Sequence, residues 1–336
     1  MNLVSPRGTG VPSTVAGVGH ALKRILLVKT SSLGDVVHNF PVASDIRRQF
    51  PDAVIDWVVE EAFVPLVRMH PAIRRVLPVA LRRWRKSPLS PSTWRDVSRS
   101  RYEIAMESYD AIIDTQGLIK SALISCMANG PRHGYGYSSA REPFASRFYQ
   151  VRHRVANSGH AVDRNRELAA LSLGYRADPT LDFGLHAPAT VGNESNKSTI
   201  VLLHSTSRVD KLWSESRWID LGRRLEQAGL TCILPWGSEG ERDRSRRIAA
   251  GLGRAEVPDR LSIPELASLL ARAKAVVGVD TGLVHLSAAL GTAVVALFMG
   301  TDPLLTGVCS SGNAVNLGEI GREPGVDDVL DALKIS

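Results

Sequence analysis

The sequence predicts an α/β protein made of two Rossmann-like, doubly wound domains that face each other across a cleft. Its 336 residues exceed what a single hydrophobic core usually supports. Continuously apolar strand patterns alternate with helical patterns in both halves, which is typical of parallel sheets covered by helices on both faces. Residues 177–197 interrupt this alternation with proline, glycine and asparagine, so we expect a linker there.

These patterns define the expected domain organisation. We expect a flexible N-terminal extension over residues 1–21 and a first domain over 22–176. The linker 177–197 leads to a second domain over 198–336, which ends in a closing helix. Residues 1–21 are interrupted by Gly, Ser and Pro and lack a continuous apolar core, so they are not predicted to be a signal peptide.

Each expected element follows from an apolar run or a helical period. In the first half, strands are predicted over 24–29, 54–59, 76–79 and 110–114, with helices up to residue 48, from 60 to about 70, and over 118–127. In the second half, strands are predicted over 200–204, 231–235, 275–279 and 293–298, with helices over 214–227, 239–250, 262–271, 283–290 and 326–333. Ligands are then expected at the carboxyl ends of strands that face the cleft.

The net charge of +7 favours anionic partners, and the charge is unevenly distributed. Nine basic side chains and one acidic side chain lie between residues 74 and 101. Because no RNA-binding or zinc-finger motif accompanies them, nucleic acid is not expected as a partner. Three widely spaced cysteines indicate a reducing compartment. With neither a D-x-D nor an H-x-x-x-H pattern, no metal or other cofactor is expected.

The first loop suited to a polar ligand joins a strand to a helix and reads Lys29-Thr30-Ser31-Ser32-Leu33-Gly34-Asp35. Gly34 allows a tight turn, and the hydroxyls and unpaired N–H groups at the helix start can bind a polar ligand. Asp35 has two interpretations. It complements the helix dipole, or it serves as a general base.

The second loop runs from His204 to Trp213. The adjacent hydroxyls of Thr206 and Ser207, with Lys211 four residues later, can surround a diphosphate. The alternative is a polar loop that caps the following helix. The loop is not a Walker motif, and the chain has no dinucleotide-binding fingerprint.

The third loop, Asp280-Thr281-Gly282, stands where a strand gives way to a helix, and His285 follows in the first turn. Helix-start N–H groups favour an anion there, although the same residues also fit an ordinary N-cap. Glu241 lies between the second and third loops, where its carboxylate either binds ribose hydroxyls or is simply solvated.

Seven segments of the chain closely resemble the lipopolysaccharide heptosyltransferase I family. They are VKTSSLGDV (28–36), DWVVEE (56–61), RRWRK (82–86), DTQGLIKS (114–121), AREP (140–143), LPWG (234–237) and VDTGLVH (279–285). The resemblance begins near Arg24 and extends to the C-terminal helix. The last segment is shared by related ADP-heptose glycosyltransferases, whereas DWVVEE and RRWRK point more narrowly to this family.

The resemblance implies a glycosyltransferase B (GT-B) fold and inverting transfer of L-glycero-D-manno-heptose from ADP-heptose to a Kdo residue of Kdo2-lipid A. It assigns the general base to Asp35. It assigns donor binding to Thr206, Ser207, Lys211, Glu241, Leu261, Asp280, Thr281, Gly282 and His285. Ser207 stands where threonine is common in the family, and Leu261 where methionine is common. Both replacements keep the chemical character of the site.

The implied acceptor carries carboxylates and phosphates, so basic side chains of the first domain are the candidates to bind it. They are Arg82, Arg83, Arg85, Lys86, Lys120 and Arg141. We expect the first four in a loop between Pro78 and Pro88, where Trp84 either meets acyl chains or anchors the loop. We also expect a cytoplasmic protein, peripheral on the cytoplasmic face of the inner membrane and attracted to its anionic surface.

Two alternative functions stay open. The first is a heptosyltransferase that acts on a later core sugar, and the second is a non-catalytic module that binds a nucleotide sugar. A pure binding module has no need of a general base, so the presence of Asp35 argues against the second alternative.

Overall fold

The first half of the chain contributes one parallel sheet and its covering helices. The computed structural model describes residues 24–188, 196–206, 208–310 and 313–335. In the first of these ranges the strands are β1 (Arg24–Val28), β2 (Val54–Glu60), β3 (Ile73–Val79), β4 (Ala111–Asp114), β5 (Arg132–Tyr135) and β6 (Val151–His153). The helices are α1 (Leu33–Val37), α2 (Phe40–Gln49), α3 (Val64–Val67), α4 (Leu81–Trp84), α5 (Pro91–Ala105), α6 (Ile119–Ser125) and α7 (Ala161–Leu173).

The second half repeats this architecture. Its described strands are β7 (Asn196–Leu203), β8 (Thr231–Ile233), β9 (Ala255–Glu256), β10 (Ala273–Val279), β11 (Val294–Leu297) and β12 (Ala314–Leu317). Its described helices are α8 (Glu215–Gln227), α9 (Glu239–Ala249), α10 (Ile263–Arg272), α11 (Gly282–Ala289), α12 (Pro303–Thr306) and α13 (Val326–Leu333). Single 3₁₀ segments occupy Glu61–Phe63, Pro143–Phe148 and Val209–Lys211.

The two sheets have the same topology. The first has the strand order β3-β2-β1-β4-β5-β6 and the second β9-β8-β7-β10-β11-β12, with neighbouring strands parallel. In each sheet the strand order reverses between the first and the fourth strand. That reversal is the switch point where doubly wound folds bind ligands. The predicted fold class is therefore confirmed.

Strand β1 shows why a continuous apolar run predicts a central strand. Leu26 packs on one face of the sheet in a cluster with Ile104 of α5 and Ile124 of α6. Leu27 belongs to the cluster on the other face, together with Ile46 of α2. These side chains are essentially inaccessible to water. A strand that is buried on both faces needs apolar residues at every position, not at alternate ones.

The helix predicted from residue 60 to about residue 70 is wrong in its first part. Strand β2 continues to Glu60, a 3₁₀ turn follows, and α3 then spans only four residues. The Glu60 carboxylate accepts hydrogen bonds from the backbone N–H groups of Leu81, at 3.2 Å, and Arg82, at 3.1 Å. These are unpaired donors of the first turn of α4, so a tertiary contact holds Glu60 at the strand end.

The basic segment between Pro78 and Pro88 was predicted as a loop, but it contains the helical turn α4. Trp84 at its end is only 8% exposed and packs in the apolar cluster beneath α5. The anchoring interpretation of Trp84 is therefore correct, and a role in contacting acyl chains is not supported.

The predicted linker and extension are described in part. Residues 177–188 lie outside helices and strands, residues 189–195 fall outside the described residues, and β7 begins at Asn196, inside the predicted linker. The N-terminal extension 1–21 also falls outside them, so the domain boundaries stay a prediction. Among the described helices, none combines the length and the apolar character that a membrane span requires.

A buried ion pair fastens α7 to α2 and to the chain that follows α7. Arg166 Nε lies 2.7 Å from Asp45 Oδ2, and Arg166 Nη2 lies 3.0 Å from Asp45 Oδ1. Arg166 also donates to the carbonyl oxygens of Asp178 and Thr180. The two charged side chains are 7% and 2% exposed, so water cannot take the place of either partner when the other is removed.

We predict that Arg166→Ala lowers the free energy of unfolding by about 3–5 kcal/mol, because it leaves the Asp45 carboxylate buried without its main partner. Urea unfolding at pH 7 measures this change. The control is Arg99→Ala. Arg99 is 82% exposed and pairs with Glu103 on the surface, so its loss should cost less than about 1 kcal/mol. Equal losses for the two variants would contradict the prediction.

Candidate active site

A cavity of about 560 Å³ opens between the two sheets. The loops that follow β1, β7 and β10 all contribute to its lining, so the three loops singled out in the sequence meet at one place. Its volume falls in the range of about 300–1,000 Å³ that is usual for small-molecule sites. A position at the carboxyl ends of strands is the one expected for a doubly wound fold.

Helices α1 and α11 approach each other closely at the floor of this cavity. A Cβ atom added to Gly282 would lie 2.9 Å from the backbone nitrogen of Gly34 and 2.7 Å from Leu33 Cδ2. These distances leave no space for a side chain at position 282. Gly282 therefore allows the starts of the two helices to touch, and α1 comes from the first sheet whereas α11 comes from the second.

Asp35 lies in the first turn of α1 and lines the cavity. Its Oδ2 accepts hydrogen bonds from Ser32 N at 2.8 Å and Ser32 Oγ at 3.0 Å, and Arg141 Nη1 lies 3.5 Å from Oδ1. Burial alone would raise the pKa of Asp35. The Lys29 ammonium, the Ser32 donors and the Arg141 guanidinium outweigh burial and lower the pKa below its ordinary value. The carboxylate is therefore ionised at neutral pH and 27% exposed to the cavity.

Lys29 lies beneath Asp35 and was not singled out from the sequence. Its Nζ donates to the carbonyl oxygen of Thr115 at 2.8 Å and lies 3.4 Å from Asn165 Oδ1. Burial lowers the pKa of Lys29 to about 8, while Asp35 and Asp114 partly counteract this effect. Lys29 therefore keeps its charge at pH 7 and supplies a positive potential below the Asp35 carboxylate.

Asp280 organises the opposite wall of the cavity. Its Oδ2 accepts hydrogen bonds from Lys211 Nζ at 2.6 Å and Thr301 Oγ1 at 2.5 Å, and its carbonyl oxygen accepts from Thr206 Oγ1 at 3.1 Å. Burial would raise the pKa of Asp280, but His285, Lys211 and Thr301 together hold it far below the ordinary value. Asp280 is thus a fixed negative charge that positions a lysine and two hydroxyls.

His285 is 6% exposed and lies between Asp280 and the first sheet. Its Nε2 lies 3.8 Å from Asp280 Oδ1, and its Nδ1 lies 3.1 Å from His38 Nε2. The ring of His285 therefore borders the cavity, while its Nδ1 is hydrogen-bonded to His38 at the carboxyl end of α1. The sequence left open whether His285 contacts a ligand or has a structural role. The contact with His38 shows the structural role directly.

Glu241 and Leu261 are among the lining residues that the second domain contributes. Glu241 Oε2 accepts a hydrogen bond from the Gly237 N–H at 2.7 Å. Trp236, which also lines the cavity, donates from Nε1 to the carbonyl oxygen of Pro258 at 2.8 Å. The second domain therefore contributes both apolar surface and a carboxylate to the lining.

The structure brings most of the predicted site residues to the cavity. Those in its lining are Asp35, Arg141, Thr206, Lys211, Glu241, Leu261, Asp280, Thr281, Gly282 and His285. Ser207 lies outside the described residues. Lys120 stands near the rim, where its Nζ lies 3.3 Å from Ser31 Oγ. The functional roles of all these residues stay predictions.

The four basic residues of RRWRK do not line the cavity. Arg83 is engaged by the carboxylates of Glu61 and Asp96, and the Arg82 guanidinium lies over the Phe63 ring. Arg85 and Lys86 are exposed and form no ion pair with the described residues. The charges of this segment that no carboxylate neutralises are therefore those of Arg82, Arg85 and Lys86, and Arg83 is the weakest of the acceptor candidates.

Sequence analysis did not single out several other side chains of the lining, which are His38, Arg260, Thr301 and Thr306. Thr301 follows β11 and reaches Asp280 only through the parallel arrangement of neighbouring strands. The usable signal for Thr301 was a hydroxyl in the loop after β11, the strand that follows β10 in the chain. For His38 the usable signal was its position one turn after Asp35. No cluster of three or more His, Cys, Asp or Glu side chains in the described ranges is suited to hold a metal ion.

We predict that Lys29→Met raises the pKa of the Asp35 carboxyl, because it removes the positive charge that most favours the ionised form. NMR titration of protein carrying ¹³C-labelled aspartate measures the change. Arg141→Met is the comparison. Arg141 is 56% exposed and 3.5 Å away, so its removal should raise the pKa of Asp35 less. An unchanged pKa in Lys29→Met contradicts the assigned electrostatics.

Comparisons with known proteins identify the family. Residues 97–330 match the model of glycosyltransferase family 9 (heptosyltransferase). Lipopolysaccharide heptosyltransferase 1 of Pseudomonas aeruginosa is 45% identical over 289 residues, with 84% of this chain and 81% of the relative covered. Lipopolysaccharide heptosyltransferase 1 of Escherichia coli K12 is 43% identical over 288 residues, covering 84% and 90%.

Comparison with solved structures indicates the same family as the sequence relatives. The Escherichia coli heptosyltransferase WaaC with ADP superposes with a TM-score of 0.88 at 40% identity, covering 93% of this chain and 99% of that one. The same enzyme with ADP-2-deoxy-2-fluoro heptose gives a TM-score of 0.84 at 39% identity, with the same coverage. This chain is a glycosyltransferase with the GT-B fold, and it belongs to glycosyltransferase family 9, the heptosyltransferases.

Proposed function

We propose that this enzyme transfers L-glycero-D-manno-heptose from ADP-heptose to a Kdo residue of Kdo2-lipid A, with inversion at the anomeric carbon. The supporting observation is that Asp35 of the first domain and the Lys211–Asp280 pair of the second line one cavity. Four relatives named lipopolysaccharide heptosyltransferase 1 are 43–45% identical, whereas those named heptosyltransferase 2 and 3, and a heptosyltransferase 1 of Campylobacter coli, are 23% identical. This difference favours the first transfer over a later one.

The donor diphosphate fits the wall organised by Asp280. Lys211 Nζ supplies the positive charge, and Thr206 and Thr281 supply hydroxyls beside the first turn of α11. Charge-assisted hydrogen bonds of this kind stabilise the negative charge that develops on departing ADP. Ser207 is the second hydroxyl that we assign to the diphosphate. The adenosine extends toward Leu261, and Glu241 contacts the ribose hydroxyls.

Asp35 is the general base of the proposed reaction. A Kdo hydroxyl attacks the anomeric carbon from the face opposite the diphosphate, and its oxygen–carbon bond forms as the carbon–oxygen bond to ADP breaks. The electron pair of the broken bond leaves with ADP, and the hydroxyl proton passes to Asp35. The low pKa of Asp35 matches a late proton transfer, when the attacking oxygen has become strongly acidic.

The acceptor approaches from the first domain. Arg141 lines the cavity beside Asp35, and Lys120 stands near the rim, so both are placed to meet Kdo carboxylates. Arg85 and Lys86, exposed after α4, are then left to meet the phosphates of lipid A farther from the reacting sugar.

The exposed face of α5 supports docking on an anionic membrane surface at the cytoplasmic side of the inner membrane. Trp94 is 61% exposed and Tyr102 is 69% exposed, and they lie eight residues apart on one side of the helix. The exposed residues Arg95 and Arg101 flank them, and Leu89, 91% exposed, precedes the helix. Aromatic and arginine side chains on one helix face are typical of interfacial binding to anionic lipid.

We predict that Asp35→Asn lowers the transfer rate by about 10²–10⁴-fold, because the amide cannot accept the proton. The amide oxygen can still accept the hydrogen bonds from Ser32, so the structure of α1 should persist. Single-turnover transfer from ADP-heptose to Kdo2-lipid A measures the loss, and calorimetric titration with ADP should show unchanged affinity. Undiminished transfer by Asp35→Asn refutes the general base. Faster transfer to a monoheptosylated acceptor than to Kdo2-lipid A favours a later core sugar.

We predict that Arg85→Ala raises KM for Kdo2-lipid A by about 5-fold or more and leaves KM for ADP-heptose unchanged, because it removes an unpaired charge on the acceptor side. Steady-state kinetics with each substrate varied in turn measure the two constants. Arg83→Ala is the matched control, since the Arg83 guanidinium is already neutralised by Glu61 and Asp96. Equal effects of Arg85→Ala on both substrates refute the assigned role.

We predict that the double variant Trp94→Ser, Tyr102→Ser binds vesicles containing anionic phospholipid less tightly, while its kinetics on detergent-dispersed acceptor stay unchanged. Co-sedimentation with vesicles at two salt concentrations measures binding, which should weaken as salt rises. Val209, 84% exposed on the second domain, provides the control variant Val209→Ser. Equal vesicle binding by the double variant and the wild type excludes this face as the docking surface.

A further inference from the structure

A histidine pair joins the helix of the proposed base to the helix of the donor site. His38 follows Asp35 by three residues at the carboxyl end of α1, and its Nε2 lies 3.1 Å from Nδ1 of His285 in α11. The two rings meet edge to face, with centroids 4.5 Å apart. His38 is 5% exposed and His285 is 6% exposed. The proposed chemistry assigns no role to His38.

The surroundings keep the His38 ring uncharged. Burial, together with the neighbouring His285, His160 and Lys29, lowers the pKa of His38 well below its ordinary value, so His38 is neutral at pH 7. On the other side of the pair, Nε2 of His285 lies 3.8 Å from Asp280 Oδ1. The hydrogen bond between His38 Nε2 and His285 Nδ1 therefore joins the first helix to a residue that faces the Asp280 carboxylate.

His38 is held from the side of the first sheet. Its carbonyl oxygen accepts a hydrogen bond from Asn165 Nδ2 at 3.2 Å. Asn165 belongs to α7, and its Oδ1 also accepts from Tyr135 OH at 3.2 Å and faces Lys29 Nζ. The backbone of His38 is therefore tied to the same Asn165 side chain that faces Lys29.

His285 is held from the side of the second sheet. It lies in the first turn of α11, one turn after Gly282, and it faces the carboxylate that positions Lys211. The Cδ2 atom of the same ring would lie 3.3 Å from a Cβ added to Gly34. The contact of the two helices thus consists of a close glycine approach at their starts and the histidine pair one turn further on.

We propose that His38 is a positioning residue for heptosyl transfer, and that its hydrogen bond to His285 sets the distance from the Asp35 carboxylate to the donor bound beside Lys211. The inference rests on the proposed function. Two contacts are needed because a single contact at Gly34 and Gly282 allows the short helix α1 to pivot. A pivot changes the position of Asp35 but leaves the donor wall intact.

The expected consequence is a loss of turnover without a loss of donor binding. A displacement of about 1 Å at a reacting group costs about 10²-fold in rate. His38→Leu keeps the apolar volume and removes the hydrogen bond to His285, so kcat should fall between about 10- and 100-fold. Affinity for ADP should stay within about threefold, because Lys211, Asp280 and Thr206 are untouched. His38→Gln, whose amide reaches the same position, should restore most of kcat.

His70→Leu is the matched control. His70 is another buried histidine of the first domain, 3% exposed, whose Nε2 lies 3.1 Å from Ser44 Oγ and which does not line the cavity. The His70→Leu variant should have a lower free energy of unfolding than the wild type but the same kcat. Amide hydrogen exchange of residues 33–38 in the presence of ADP is the second measurement. It should be faster in His38→Leu than in wild type, and near wild type in His38→Gln.

The outcomes separate this inference from the proposed function. Equal kcat in wild type and His38→Leu overturns the positioning role, as does a parallel fall in kcat and ADP affinity, which would make His38 a support of the donor pocket. Failure of His38→Gln to recover activity or protection of α1 also overturns it. A wild type that binds ADP but transfers no heptose refutes the proposed function, and the exchange of α1 alone then decides the inference.

Discussion

Helices α1 and α11 touch at Gly34 and Gly282, and the contact leaves no space for a side chain at Gly282. Each helix start carries one half of the site. Asp35 stands on α1, while Asp280 and Thr281 precede or begin α11. A GT-B enzyme assembles its site from two sheets that are far apart in sequence, so some contact has to fix their relative position. In this chain the part of that contact nearest the site is made of the two glycines, Leu33 and two histidines.

The charges of the site are buried or partly buried, and each is compensated by fixed neighbours. Asp280 has Lys211 and Thr301, and Asp35 has Ser32 donors and the ammonium of Lys29 beneath it. Buried charges without such partners would cost several kcal/mol each. With them, the site has a cationic group for the leaving diphosphate and an ionised carboxylate for the acceptor before either substrate binds, which is the preorganisation that catalysis requires.

The sequence was sufficient for the fold class and for the central strands, because residues 25–28 of β1, 200–203 of β7 and 275–279 of β10 contain no polar or charged side chain. Strands β5, β6, β9 and β12 were missed since they are two to four residues long and partly exposed. The three cleft loops were found from their positions after strands. Lys29, His38 and Thr301 were missed because their contacts with Asn165, His285 and Asp280 join separate elements of the fold. The positions of His38 and Thr301 were usable signals for the cleft, but they do not specify those contacts.

In the proposed enzyme the base and the diphosphate site face the same sugar from opposite domains. A crystal structure of this protein with ADP-2-deoxy-2-fluoro heptose is the decisive measurement. We expect the diphosphate within hydrogen-bonding distance of Lys211 Nζ, and the Asp35 carboxylate on the face of the sugar ring opposite the diphosphate. A sugar that points away from Asp35, or a diphosphate bound remote from Lys211, would contradict it.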